Sequence, residues 1–292
     1  MARAVSALAA LVLLLLVPAG AQQKTVFRTG VQTVVLHATV RGGDGRLVPN
    51  LTADDFDVRD EGQPVPISVF SNDPQPITVA LLLDMSGSMV GQFLRVREAT
   101  RYFVDAIQPE DRVRIGTFGD EVALSPLLTG DKPVLRRIVG DELWPGGGTP
   151  LWNAVNAAMR SLASEPGRRV VLALTDGADT GGLPGLNGNA GDARKAVEDR
   201  GFMVYAIGLE GRQLDGGIVS LAEQSGGGHF LLERGADLEA TFARVIEELR
   251  HQYEIGYLLP KADGKLHDVE VRVRKPGMKA RAKKNYRAPK GT

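Results

Sequence analysis

The pattern of apolar and polar positions across residues 76–255 alternates between strand-like and helix-like segments. Residues 77–83 form an apolar run, typical of a strand buried on both faces, and residues 93–107 follow with apolar side chains at helical spacing. Further strands are predicted at 112–118, 170–175, 202–208 and 229–232, and further helices at 150–164, 192–200, 218–224 and 237–253. This alternation predicts a doubly wound, mostly parallel sheet flanked by helices.

The segments on either side have the pattern of short strands. Residues 25–75 contain a strand candidate at 31–40 and two more within 56–70, around Asp60-Glu61-Gly62, and residues 254–287 return to strands. A doubly wound domain that starts with its central strand and ends with a helix packed nearby can have both ends on one side. We therefore predict that these flanks join into one small β-rich domain, into which an α/β domain of residues 76–253 is inserted. Two independent β extensions are the alternative.

The amino terminus has the pattern of a secretory signal. Arg3 precedes an apolar run at 7–17, and Ala19-Gly20-Ala21 is a small-residue cleavage site. We predict a signal peptide at 1–21 and a secreted or periplasmic protein. An uncleaved anchor is the alternative, but the run is short for a bilayer, and no second run of spanning length follows. A transmembrane segment is therefore not expected after signal removal.

Composition excludes several classes of site. The chain has no cysteine, which rules out disulfides, thiolate metal sites and a cysteine nucleophile. A chain of 292 residues with 43% hydrophobic content can form a core without disulfides.

Residues 261–292 hold 11 Lys or Arg against 3 Asp or Glu, but the alternation at 267–274 is that of a half-buried strand with a solvated charged face. Nucleic-acid binding is not predicted, since these charges lack the interleaved aromatic series on which single-stranded bases stack.

Candidate chemistry begins directly after the apolar run 77–83. Asp84, Ser86 and Ser88 place a carboxylate and two hydroxyls, all hard oxygen ligands, at alternate positions where a buried strand ends. Ligands of open α/β sheets bind at this edge. Asp176 directly follows another predicted strand, and Thr149 follows three glycines before a predicted helix, where we expect it to be the N-cap. A magnesium-type site is the first hypothesis.

Together these segments resemble the von Willebrand factor A domain family. Five positions match the metal-ion-dependent adhesion site of that family: Asp84, Ser86, Ser88, Thr149 and Asp176. Short flanking motifs are similar to those of secreted VWFA-related proteins abundant in acidobacteria, at residues 27–31, 51–56, 256–257, 263–265 and 285–289.

The resemblance implies a six-stranded, Rossmann-like sheet and a bound Mg²⁺, or Mn²⁺ or Ca²⁺. Ser86, Ser88 and Thr149 would hold the ion, with Asp84 and Asp176 contributing directly or through waters. An open coordination position would then accept an Asp or Glu from a protein partner, and ligand capture can shift the loops and terminal helix in better-known relatives.

The leading hypothesis is a non-enzymatic, secreted module for metal-dependent protein binding or adhesion. A metal-dependent hydrolase is the alternative, with Asp179 as the nearest candidate base, although a turn role suits Asp179 better. Catalytic signatures are otherwise weak, because the four histidines are scattered and the G-x-S-x-G elbow is absent. A structural envelope component that needs no metal is the third hypothesis.

Overall fold

The computed structural model describes residues 32–141, 146–209, 213–233 and 235–291. The signal peptide predicted at 1–21, and the beginning of the strand predicted at 31–40, lie outside these residues.

Strands and helices follow one another in the predicted alternation. The strands are β1 (Thr33–Arg41), β2 (Phe56–Asp60), β3 (Gln63–Pro64), β4 (Ile67–Ser71), β5 (Thr78–Asp84), β6 (Arg112–Phe118), β7 (Val122–Leu124), β8 (Arg169–Thr175), β9 (Met203–Gly208), β10 (His229–Leu231), β11 (Tyr253–Leu258), β12 (Leu266–Val273), β13 (Lys279–Ala282) and β14 (Asn285–Arg287). The helices are α1 (Phe93–Ala106), α2 (Lys132–Asp141), α3 (Leu151–Ser161), α4 (Ala190–Arg200), α5 (Gly216–Gln224) and α6 (Leu238–Arg250). Short 3₁₀ turns occupy Ala53–Asp55 and Gly87–Gln92.

The central layer is a six-stranded sheet in the order β10-β9-β8-β5-β6-β7. All neighbours are parallel except β7, which pairs antiparallel with β6 at the edge. Side chains of β5 alternate between two cores: Leu81 and Leu83 pack with α1, α2 and α6, whereas Ala80 and Leu82 pack with α3, α4 and α5. Burial on both faces explains the apolar run, and the predicted fold is confirmed.

The two flanks pair with each other in two further antiparallel sheets. Their orders are β13-β1-β11-β4 and β14-β12-β2-β3, so each sheet combines strands from before and after the α/β layer. The sheets share an apolar core that includes Leu36, Phe56, Tyr253 and Tyr257. Residues Gln32–Thr292 group as one compact unit, so the boundaries predicted at 75 and 253 stay a proposal.

Several elements differ from the predicted pattern. The helix predicted at 237–253 ends at Arg250, because Tyr253 begins β11 and its hydroxyl contacts the backbone of Val48 and Leu51. The pattern missed α2, which contains Pro133 in its first turn, where proline costs no helical hydrogen bond. It also missed β7, because three residues are too few for a periodic signal.

The helices in the part of the chain that the structure describes are all too short or too polar to span a bilayer.

Candidate metal centre

Asp84 is the last residue of β5, at the point where the sheet order reverses. The chain runs from β5 to β6 on one side and later returns to β8 on the other, which is where open α/β sheets bind ligands. The carboxylate is fully buried, and both oxygens are held by hydrogen bonds: Ser86 N–H donates to Oδ1 at 2.8 Å and Thr175 Oγ1 donates to Oδ2 at 2.6 Å. These two bonds fix the orientation of the carboxylate.

The two serine hydroxyls link Asp84 to the end of β8. Ser86 Oγ lies 3.1 Å from Ser88 Oγ, and Ser88 Oγ donates to Asp176 Oδ1 at 2.8 Å. Four of the five predicted residues therefore form a continuous chain of polar contacts, although Asp84 and Asp176 are 92 positions apart.

Thr149 lies in the neighbouring glycine loop, which contacts the same turn through its backbone. Gly87 N–H donates to Gly147 O at 2.9 Å, and Thr149 N–H donates to Thr180 Oγ1 at 2.7 Å. The predicted N-cap role of Thr149 is wrong, because α3 begins at Leu151 after Pro150 and no side chain caps it. The Thr149 carbonyl instead accepts from Leu151 N–H at 2.9 Å.

Two glycines allow these backbones to approach closely. Gly147 has φ of 81°, and a Cβ atom there would lie 2.4 Å from Asp120 N. A Cβ atom on Gly119 would lie 2.3 Å from Gly146 O. Larger side chains at either position would separate the glycine loop from its neighbours.

The electrostatics of the centre favour a cation. Burial raises the pKa of Asp84 and the charge of Asp176 raises it further, while hydrogen bonds from Ser86 and Thr175 oppose the shift. Two buried carboxylates at close range destabilise each other unless a positive charge lies between them. Carboxylates and hydroxyls are the ligands that Mg²⁺ and Ca²⁺ prefer, so this donor set fits a divalent cation.

Asp179, the candidate base, serves the backbone around the centre. Its Oδ1 accepts from Trp152 N–H at 3.3 Å and its Oδ2 accepts from Gly181 N–H at 3.0 Å. Both oxygens therefore hold the turn and the start of α3.

A second cluster lies between the flanking sheets, and the sequence pattern did not indicate it. Ligand atoms of Asp60, Glu61 and His267 lie within 4.8 Å of one another, a spacing that could hold a metal ion. However, His267 Nδ1 lies 2.8 Å from Asp60 Oδ1 and Nε2 lies 3.2 Å from Asp263 Oδ1. A ring that donates from both nitrogens has no lone pair for a metal, so we interpret this cluster as a buried ion-pair network.

The model of the von Willebrand factor type A domain family matches residues 78–243, more than half of the chain. The chain belongs to this family. Domains of this family typically mediate protein–protein interactions and are generally non-enzymatic.

Solved structures support the fold of this VWA chain. A von Willebrand factor type A protein from Catenulispora acidiphila is 15% identical, with a TM-score of 0.54 over 90% of this chain and 74% of that one. Proximal thread matrix protein 1 from the mussel byssus is 16% identical, with a TM-score of 0.51 over 65% of this chain and 51% of that one. A comparison with curated proteins finds no match.

Proposed function

We propose that this VWA protein binds a divalent cation through Asp84, Ser86, Ser88, Thr149 and Asp176, and uses it to bind an Asp or Glu side chain of a partner protein. Mg²⁺ is the first candidate, with Mn²⁺ and Ca²⁺ as alternatives. The observation that carries the proposal is the unbroken chain of contacts from Asp84 through Ser86 and Ser88 to Asp176.

The proposed roles follow from the charge of each side chain. When bound, the cation supplies a positive charge with a coordination position open to a carboxylate. Asp84 and Asp176 offset part of that charge. Ser86, Ser88 and Thr149 contribute neutral oxygens, which leaves enough charge to attract an acidic side chain. Thr175 and the Ser86 N–H hold the Asp84 carboxylate in place.

Exposed apolar side chains beside the turn support a protein partner. Val90 and Leu94 are 59% and 64% exposed, and they follow Ser88 by two and six positions. A protein surface that brought a carboxylate to the centre could cover both side chains, whereas a free ion or small anion would leave them in water.

The geometry gives less support to the other two hypotheses. A hydrolase would need a base beside the ion, and both oxygens of Asp179 already hold backbone N–H groups. A structural envelope component would not need two buried carboxylates at the carboxyl ends of the central strands. We keep a secreted or periplasmic location as part of the proposal, on the basis of the signal-like residues 1–21.

The test is capture of partners from envelope and secreted extracts, in Mg²⁺ and in chelator. We expect a partner that binds only in Mg²⁺, and that Thr149→Ala does not retain. Ser164→Ala is the matched control, because Ser164 is exposed just before β8, at the amino-terminal ends of the strands. Equal capture in chelator would favour the structural component, and Mg²⁺-dependent hydrolysis lost in Asp84→Ala would favour the hydrolase.

A further inference from the structure

A cavity of about 650 Å³ lies at the amino-terminal ends of the central strands, the opposite end from the metal centre. Its wall includes Thr78, Arg112 and Arg169, which are register partners in the adjacent strands β5, β6 and β8. The facing wall includes His37 of β1 and its register partner Glu254 of β11. The cavity therefore separates the α/β layer from a flanking sheet, and its volume is typical of small-molecule sites.

The charged residues that line this cavity are predominantly basic. Five Lys or Arg residues contribute to it, against the two glutamates Glu110 and Glu254: Arg112, Arg168, Arg169, Arg200 and Lys283. Burial lowers the pKa of Lys283 to about 8, so its ammonium group remains mostly charged at neutral pH. This balance favours an anionic occupant.

Arg168 is the most deeply buried of these cations, with 7% of its surface exposed. Its Nη1 donates to Gln252 Oε1 at 2.7 Å, whereas its Nε and Nη2 have no hydrogen-bond partner among the described residues. The charges of Asp111 and Glu254 act on Arg168 from a distance, but no carboxylate of the described residues lies within ion-pair distance of it. Nε and Nη2 share one edge of the guanidinium and point in parallel, the arrangement that binds a carboxylate through two hydrogen bonds.

Two other nitrogens of the lining residues are also buried without a hydrogen-bond partner in the described part of the chain. His37 Nδ1 and Arg169 Nε are buried without a partner among the described residues. Burial lowers the pKa of His37 to about 4 and the charge of Arg168 contributes, so the ring is neutral and can donate one hydrogen bond. Buried donors are rarely left unsatisfied, so this concentration indicates a missing acceptor.

Part of the remaining wall of the cavity is apolar. Val35, Leu36, Pro76 and Met203 contribute to it, and Val35 is half-exposed at the surface. A fully inorganic anion would leave these side chains uncovered, whereas an organic anion could cover them with its own apolar part.

We propose that the cavity binds a small organic carboxylate, with its head group on the Nε–Nη2 edge of Arg168 and its apolar part against Val35, Pro76 and Met203. Both nitrogens of this edge are buried, so binding requires the Arg168 side chain, which lines the cavity, to turn this edge toward the head group. His37 and Lys283 supply further donors. The site is independent of the metal centre.

Isothermal titration of the full chain with octanoate in chelator tests this proposal, with uncharged octan-1-ol as the analogue. We expect octanoate to bind the natural chain, and octan-1-ol to bind at least about tenfold more weakly, because it lacks the charge-assisted hydrogen bonds. Arg168→Met keeps the apolar stem and removes an unpaired buried charge, so we expect a folded chain whose affinity for octanoate is at least about tenfold lower. Arg194→Met, an exposed arginine of α4, is the matched control and should bind normally.

Val35→Trp keeps the test valid if Arg168→Met does not fold. Val35 is 48% exposed, so a larger side chain there narrows the cavity without entering the core. We expect this variant to lose octanoate binding. No octanoate binding by the natural chain, equal affinity for octan-1-ol, or unchanged binding in Val35→Trp would each overturn the proposal. Binding that persists in Asp84→Ala would keep this site separate from the metal centre.

Discussion

Ser88 Oγ donates a 2.8 Å hydrogen bond to Asp176 Oδ1, which joins the turn after β5 to the end of β8. The two strands are register neighbours from Thr78 and Arg169 onward, so their carboxyl ends meet at one edge of the sheet. Strand pairing thus brings together two residues that are 88 positions apart in the sequence. The geometry of the candidate centre therefore depends on the pairing of β5 with β8. Substitutions of the residues that hold its side chains in place should weaken it.

Thr175→Val tests the support beneath Asp84. The substitution keeps the side-chain shape but removes the donor 2.6 Å from Asp84 Oδ2, so a buried carboxylate loses one of its two fixed partners. We expect a loss of about 1–3 kcal/mol in the free energy of unfolding measured without metal. Denaturant titration measures it, with Thr33→Val at an exposed position of β1 as the control. Equal stability of the two variants would mean that Thr175 does not support Asp84.

Gly147→Ala tests the close approach of the glycine loop. The new Cβ atom would lie 2.4 Å from Asp120 N, and φ of 81° is strained for alanine. We expect a cost of about 1–3 kcal/mol together with weaker cation binding, because the loop also carries Thr149. Gly216→Ala is the matched control, since a Cβ atom there meets nothing within 4 Å. Thermal unfolding and cation titration of both variants measure the difference, and an unaffected Gly147→Ala would show that the loop has room to adjust.

Glu248→Gln tests the contact between the terminal helix and a flanking sheet. Glu248 of α6 is fully buried and pairs with Arg41 of β1 and Arg281 of β13. The substitution removes the carboxylate from two arginines that are 27% and 32% exposed, and because water reaches both we expect a loss of about 1–3 kcal/mol in stability. Glu247→Gln changes an exposed neighbour on the same helix and should cost almost nothing. Chemical denaturation of the two variants gives the comparison. Similar stabilities would show that the ion pairs of Glu248 with Arg41 and Arg281 do not stabilise the fold.

The buried network around His267 predicts a pH dependence of stability. Burial of the ring opposes protonation, but hydrogen bonds and charges from Asp60 and Asp263 outweigh it and raise the pKa of His267 above its ordinary value. The other groups facing this network are Tyr257 and Tyr286, which donate to Asp60 Oδ2, together with Glu61 and Lys261.

A raised pKa in the folded state means that protonation stabilises the fold. This contribution is complete below the ordinary histidine pKa of about 6.5 and disappears as pH rises through the raised value. We expect the free energy of unfolding to decrease as pH rises from the ordinary histidine pKa through the raised pKa of His267. In His267→Gln, the contribution of this histidine to the decrease should be absent. His251→Gln is the control, because the ring of His251 hydrogen-bonds to the backbone carbonyl of Glu247 and forms no ion pair among the described residues. A fall of the same size in His267→Gln would contradict the assignment.

The sequence predicted the central layer well because its strands are long and apolar. Burial on both faces produces a run such as β5 that needs no tertiary information to recognise. The same reasoning failed for β7 and for the end of α6. Three residues carry no period, and the step from Arg250 to Tyr253 depends on contacts with Val48 and Leu51 in a distant part of the chain.

The sequence predicts those parts of the candidate site in which the oxygen ligands lie close together in the chain or directly after a predicted strand. Asp84, Ser86 and Ser88 lie within five residues of one another, and Asp176 directly follows a predicted strand. The sequence pattern does not indicate Thr175, because its role depends on facing Asp84 from the adjacent strand β8. The Asp60–His267 network and the Arg168 cavity also combine residues distant in sequence, so periodicity gave no signal for them.

The measurement that tests the central claim most directly is calorimetric titration of the metal-free chain with Mg²⁺. We predict saturable binding at a single site in the natural chain and in Ser164→Ala, and its loss in Asp84→Ala and Thr149→Ala, with circular dichroism showing that both variants remain folded. Absence of binding in the natural chain, or unchanged binding in the Asp84 and Thr149 variants, would contradict a cation site at this edge of the sheet.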